Sequence, residues 1–173
     1  MCISKPDQWY VLYVKARHER KIENLLKENQ IETFLPLVKT VREWSDRKKE
    51  IEMPLFPSYI FVKINLKKDT HKVLSVKSYC FFIRFGEEFA KVHEYEINSI
   101  KLLLNMNVPM KVENYAPLLK VGEYRRIDKG ALKGLNCEII KADNENKVVV
   151  RIDSIKQNIV ATVPSSCISE VVA

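Results

Sequence analysis

Glycine is scarce, with four in 173 residues, and that scarcity excludes the Gly-rich loops that cradle phosphates in kinases and nucleotide hydrolases. Gly130-Ala131-Leu132-Lys133-Gly134 has neither the spacing of such a loop nor the Lys-Ser/Thr that follows it. Cysteine is equally thin: Cys2, Cys80, Cys137 and Cys167 stand dozens of residues apart, without the short paired spacing of a zinc or dithiol site, and read as reduced thiols. His18, His71 and His93 are scattered and read as surface histidines. No metal, cofactor or catalytic residue is expected, and the chain reads as a non-enzyme. Long apolar runs are missing too. Trp9 to Val14 is too short for a signal core or a membrane span and is followed at once by Lys15, Arg17, Arg20 and Lys21, so a cytoplasmic protein with no membrane partner is expected.

What is present is the composition of a globular protein, 46% hydrophobic and 29% charged, with room for one ordinary domain or two small ones. The net charge of +7 favours a polyanionic partner, though such an excess also serves solubility. It is concentrated in the first two-thirds: 19 Lys/Arg oppose 14 Asp/Glu up to residue 106, and 10 oppose 8 beyond it.

The chain opens with a strand-like run, Trp9 to Val14, rich in aromatic and β-branched residues. From Arg17 the period changes, and Ile22, Leu25 and Leu26 predict an amphipathic helix to about Asn29. Phe34 to Trp44 reads as a strand kinked at Pro36, turning at Ser45-Asp46-Arg47-Lys48 and returning over Lys49 to Met53. Pro54-Leu55-Phe56-Pro57 cannot continue a helix and introduces Tyr59 to Lys63, read as a central strand covered on both faces. Its entry is either a rigid turn into the core or a stiff mount for displayed aromatics. Asp69 or Thr70 is expected to cap a short helix to Lys77, followed by strands Tyr79 to Phe85 and Phe89 to Val92 and a helix Tyr95 to Met106. This order predicts an α+β N-terminal domain over residues 1–106, with helices packed on a mainly antiparallel sheet.

Residues 107–119, with Pro109, Pro117 and no clear period, read as a linker. Residues 120–173 then hold three of the four glycines and short apolar segments at Cys137 to Ile140, Val148 to Ile152, Ile159 to Val163 and Cys167 to Val172, predicting a small all-β barrel. A binding role has more support than chemistry. Lys15, Arg17, Arg20 and Lys21 crowd the start of the first helix, and His71, Lys72 and Lys77 the second. If both helices lie on one side of the sheet, these groups form a phosphate-binding patch; the same pattern also fits a solvated helical face.

In order, Trp9-Tyr10-Val11-Leu12-Tyr13, Pro54 to Val62 and Phe82-Ile83-Arg84-Phe85-Gly86 resemble the N-terminal domain of NusG-type transcription elongation factors. Val121-Gly122-Glu123 and Asp128 to Gly134 resemble their KOW module. Leu55 before Phe56-Pro57, with the Ile83 to Gly86 ending, looks closer to the operon-restricted RfaH and UpxY antiterminators than to general NusG. The resemblance implies a factor that binds the β′ clamp helices of RNA polymerase through Tyr13, Phe56, Pro57 and Tyr59, with Trp9 and Phe61 in the core. It implies suppression of pausing or termination at particular operons such as surface-polysaccharide loci. It places Lys15 and Lys21, with Lys72 and Lys77, toward the non-template DNA strand, and nascent RNA is a further candidate. Gly122, Gly130, Leu132 and Gly134 would carry the KOW motif, whose family partners are Rho or a small-subunit ribosomal protein. Ser58 stands where glycine is usual, so the turn here need not use positive φ. The runner-up is a ribosome-associated RNA-binding KOW protein.

Overall fold

The computed structural model describes residues 7–43, 48–76, 80–114, 123–127, 132–142 and 145–164. Its elements run β1 (Gln8–Val14), α1 (Glu19–Glu28), β2 (Glu32–Phe34), β3 (Leu37–Glu43), β4 (Lys48–Pro54), β5 (Tyr59–Ile64), α2 (Leu66–Ser75), β6 (Cys80–Phe82), β7 (Arg84–Phe85), β8 (Glu88–Phe89), β9 (Lys91–Val92) and α3 (Glu94–Asn105). The remaining strands are β10 (Met110–Asn114), β11 (Glu123–Arg126), β12 (Asn136–Ala142), β13 (Glu145–Ile152) and β14 (Gln157–Val163). The fold is α+β with antiparallel sheets, in two compact units: Met1–Leu37 with Glu52–Glu94, and Val38–Ile51 with Tyr95–Ala173.

In the first unit the strand order is β2-β5-β1-β6, with β9 also on β1. The expected central strand, β5, is interior: Ile60, Phe61 and Val62 are completely buried. The hub, however, is β1, which pairs with β5 from Gln8↔Ile64 to Tyr13↔Tyr59, with β6 at Leu12↔Phe82, and with β9 at Trp9↔Val92. The two-residue alternation of a strand divides β1 between two faces. Tyr10, Leu12 and Val14, beside Ile60, Val62 and Ile64, share a core with Ile22 and Leu26 of α1 and with Val73 and Val76 at α2. Both helices therefore cover the same face of the sheet. Each fully buried Leu, Ile or Val there contributes roughly 1.5–3 kcal/mol.

Local chemistry moves several boundaries. The first helix starts at Glu19 because Arg17 has φ of 66°, a left-handed backbone that no α-helix contains. The second is capped at Asn65, four residues before Asp69 and five before Thr70, the expected caps. Asn65 caps it by accepting the Lys67 N–H at 3.1 Å, while Asp69 reaches back to accept the Asn65 N–H at 3.2 Å. The expected strand through Pro36 is broken there: β2 pairs with β5, and β3 with β4. Ile83 likewise separates β6 from β7, donating to the Val11 carbonyl and accepting from the Ala90 N–H.

The second unit holds the β3–β4 hairpin, whose expected turn falls largely outside the described residues, and α3 with Ile97, Ile100 and Leu103 buried. The Ser154 N–H donates to Glu96 Oε1 at 3.3 Å, a buried tie from the short 3-10 turn after β13 to the first turn of α3. Five strands follow in the order β10-β14-β13-β12-β11. The runs of Val148 to Val150 and Ile159 to Val160 form paired strands, as their β-branching predicts. Met110–Asn114 lies inside the expected linker yet pairs with β14 from Met110↔Ala161 to Asn114↔Gln157, so the chain is sheet there. Cys167 to Val172 lies outside the described residues.

Candidate functional site

The site is built on the face of the first sheet opposite the helices, at the C-terminal end of β1. Tyr13 is in register with Tyr59 on β5 and with Phe81 on β6, so three aromatic side chains form one row across three strands. The Tyr13 ring stacks on Phe81 with centroids 5.2 Å apart and meets Tyr59 edge-on at 5.9 Å. Tyr13 is 40% exposed and Phe81 52%, whereas Val11 and Phe61, one step back along the same face, are completely buried. Stacked aromatic surface left in water at the end of a packed face is the composition of a docking patch.

The entry to β5 fixes one edge of that row. The Tyr59 N–H donates to the Phe56 carbonyl at 3.2 Å, closing a four-residue turn with Pro57 in the second position. Ser58, in the third, has φ of 68°. The turn therefore uses positive φ although serine, not glycine, occupies the position. The turn is held from both sides: the Glu19 carboxylate accepts the Ser58 N–H at 2.9 Å, and the Ser58 carbonyl accepts the Val14 N–H at 2.8 Å. Glu19 is only 5% exposed and sits in the first turn of α1, where the helix dipole favours its negative charge. It joins the helix to the aromatic entry.

The expected polymerase-facing residues divide. Tyr13, Tyr59 and the exposed Pro57 lie at the surface of this edge. Phe56 is corrected to a core residue: it is completely buried, edge-on to Phe61 at 5.9 Å, and supports the entry from beneath. Trp9 and Phe61 are core, as expected, and the Trp9 indole N–H donates to Glu94 at 2.8 Å. Sequence reasoning missed Phe81 and Glu19. Phe81 stands beside Phe82 in a run where only register tells which ring faces out, and Glu19 stands among Lys15, Arg17, Arg20 and Lys21, where nothing local marks it as a buried acceptor.

The basic residues also divide. Lys15, Arg17, Lys21 and His71 are exposed. Arg20 is bound to the Glu52 carboxylate, and the Lys72 ammonium lies 3.0 Å from Asp69. The hydrogen bond from Lys72 holds the Asp69 carboxyl below its usual range. The two helices do share one face, the condition a common patch requires. Lys77 lies outside the described residues, as do Gly122 and Gly130. Leu132 is completely buried, and Gly134 has φ of 88° with its N–H donating to Ile127.

Among the described residues no group of acidic, His or Cys side chains could hold a metal, and no helix is long and apolar enough to cross a membrane. Burial pushes the Cys80 and Cys137 thiols up to about 11, which keeps both protonated and poorly nucleophilic at neutral pH.

The family model for transcription termination factor NusG matches residues 7–101, the stretch that contains the aromatic row and the Glu19 tie. Transcription termination/antitermination protein NusG of Rickettsia typhi is 28% identical over 158 residues, covering 84% of this chain and 81% of the relative. The corresponding protein of Rickettsia bellii is 24% identical over 148 residues, covering 80% and 76%. A solved structure concerning domain interaction in Thermotoga maritima NusG is 23% identical, covers 89% of this chain and 92% of its own, and superposes with a TM-score of 0.48.

Proposed function

The chain belongs to the NusG family of transcription termination and antitermination factors, and from that premise we propose that it docks on RNA polymerase through Tyr13, Tyr59, Pro57 and Phe81. What carries the reading is the exposed aromatic row, which lies within the family-matched residues and has its β5 edge fixed by a buried hydrogen bond. The factor acts by binding. Its apolar edge seats on the β′ clamp helices, and the bound factor suppresses pausing or termination.

The operon-restricted branch typified by RfaH and UpxY is the finer reading, supported by Leu55 before Phe56-Pro57 and by the Ile83 to Gly86 ending. Lys15, Arg17 and Lys21 supply exposed charge, and His71 an exposed imidazole, on or beside the helices for the non-template strand or nascent RNA. The five-stranded C-terminal sheet serves as the KOW module, whose partner is Rho or a small-subunit ribosomal protein.

The test is co-purification with RNA polymerase, paired with a pausing assay on a defined template. Tyr13→Ala with Phe81→Ala should weaken capture at least tenfold, since central aromatic anchors are each worth about 2 kcal/mol or more. The folded far-UV spectrum should be retained, and Leu74→Ala, at an exposed position on α2, should bind normally. Undiminished capture by the double variant sinks the assignment.

A further inference from the structure

In the five-stranded sheet of the second unit, β10 lies out of chain order. β11, β12, β13 and β14 follow one another as neighbours, each paired with the next, whereas β10 sits beyond β14, at the far end of the sheet from β11. Among the described residues its strand partner is β14 alone, so the four-stranded meander keeps its own pairings if β10 leaves. The seat is also imperfect. The Thr162 N–H donates to the Pro109 carbonyl at 3.1 Å, which continues the register to 109 and 162 as a hydrogen-bonded pair. The alternation of an antiparallel ladder then makes Lys111 with Val160, and Glu113 with Asn158, the next hydrogen-bonded pairs. Proline has no N–H, so the first of the three is closed on one side only. Met110 and Val112, in register with Ala161 and Ile159, are half-buried, while Ala161 and Ile159 are completely buried. At the third pair Glu113, an exposed acid, is in register with Asn158, which is 3% exposed and whose Oδ1 has no hydrogen-bond partner among the described residues. An acceptor is thus set opposite a buried, unsatisfied acceptor.

We propose that β10 is a self-inhibitory strap over the β14 edge, and that its displacement opens that edge to an extended segment of a partner protein. The segment runs antiparallel to β14 and has the pattern apolar-x-apolar-donor. Displacement frees the N–H and C=O groups of Asn158, Val160 and Thr162, a ladder ready for strand addition. The partner's two apolar residues take the places of Met110 and Val112 opposite Ala161 and Ile159. A Lys, Arg, Asn or Gln in the place of Glu113 donates to the Asn158 Oδ1, a bond that the chain's own strap does not make. The strap and the incoming strand compete for one edge, so the fraction of chains with β10 released sets the apparent affinity. The proposal needs this sheet alone and stands apart from the docking assignment on the first unit.

The probes are two labelled peptides spanning residues 107–115, one unaltered and one carrying Glu113→Lys, titrated into the full chain by fluorescence anisotropy. Lys111→Pro with Glu113→Pro removes the two strap N–H donors. This released chain should bind the Lys peptide at least tenfold tighter than the unmodified chain does, and should prefer it to the unaltered peptide by about three- to tenfold. Glu113→Lys in an otherwise unmodified chain should act oppositely, weakening peptide binding and slowing exchange of the Lys111 amide. In the unmodified chain the Lys111 and Glu113 amides should exchange at least tenfold faster than that of Val149, which lies between two strands. The proposal is overturned if those exchange rates are equal, if the released chain binds neither peptide or binds no better than the unmodified one, if the two peptides bind alike, or if Glu113→Lys tightens binding. Loss of amide protection across β12 and β13 in the released chain overturns it too, because β10 would then be part of the fold that it is proposed to cover. Polymerase capture by all these variants is expected to be normal, so this proposal and the docking assignment fail separately.

Discussion

Replacing Glu19 with alanine isolates the tie between α1 and the aromatic entry. The Ser58 N–H would lose an acceptor 2.9 Å away at a site where Ser58 is 8% exposed and Glu19 5%. A buried hydrogen bond to a charged group is worth about 1.5–3 kcal/mol, so a loss near 2 kcal/mol is expected for Glu19→Ala. Glu19→Gln keeps a neutral acceptor and should lose about half of that. A left-handed serine costs about 1–2 kcal/mol relative to its ordinary backbone, a strain that glycine does not carry. Ser58→Gly in the Glu19→Ala background should therefore recover about 1 kcal/mol, more than it gains in the unmodified chain, because the two positions are coupled. Urea unfolding followed by tryptophan fluorescence gives the stability change, and amide hydrogen exchange at Ser58 gives the local one. Loss of 2 kcal/mol corresponds to about thirtyfold faster exchange at that amide. An unmoved urea midpoint together with unchanged Ser58 exchange would refute the reasoning.

Gly134→Ala should cost about 1–2 kcal/mol in urea unfolding: a Cβ would meet nothing within 4 Å, so the cost arises from φ of 88° alone, and increased stability would contradict the turn. Alkylation of Cys80 and Cys137, followed peptide by peptide by mass spectrometry, should be far slower at pH 8 than for a free cysteine and should rise only as pH approaches about 11; rapid labelling at pH 8 would contradict the buried thiols. The same shift makes the fold lose stability as pH rises from the ordinary thiol range toward 11, since the unfolded chain gives up these protons first. Lys15→Gln with Lys21→Gln should weaken binding at a particular leader and reduce the salt-dependence slope by about 2 if both contact phosphate, with polymerase capture unchanged; an unaltered slope would remove them from the interface.

The strands legible in the sequence were those with a dense β-branched or aromatic run, such as Trp9 to Val14, Tyr59 to Lys63 and Val148 to Ile152. Met110–Asn114 was not legible, because Met110 and Val112 among polar neighbours become a strand only through pairing with β14. The same limit applies at the site. Tyr13 and Tyr59 could be singled out from neighbouring motifs, but placing Phe81 beside them requires the antiparallel register of β6 on β1. Phe56 misled for the opposite reason: an aromatic next to proline suggested display, while the turn carries its ring inward against Phe61. The Glu19 to Ser58 hydrogen bond spans 39 residues, and no local pattern announces a contact of that length.

Strand β1 gains its last partner at Val92, so the earliest strand of the first sheet waits for the whole of that sheet before it is fully paired. At about 5–20 residues per second, the roughly eighty residues separating Val14 from Val92 take about 4–16 s to synthesise. For that interval Trp9 to Val14, six apolar or aromatic residues with both backbone edges open, has only part of its sheet available. Slow passage through this window exposes a short segment of high β-propensity, and rapid delivery of β5 is what closes most of it.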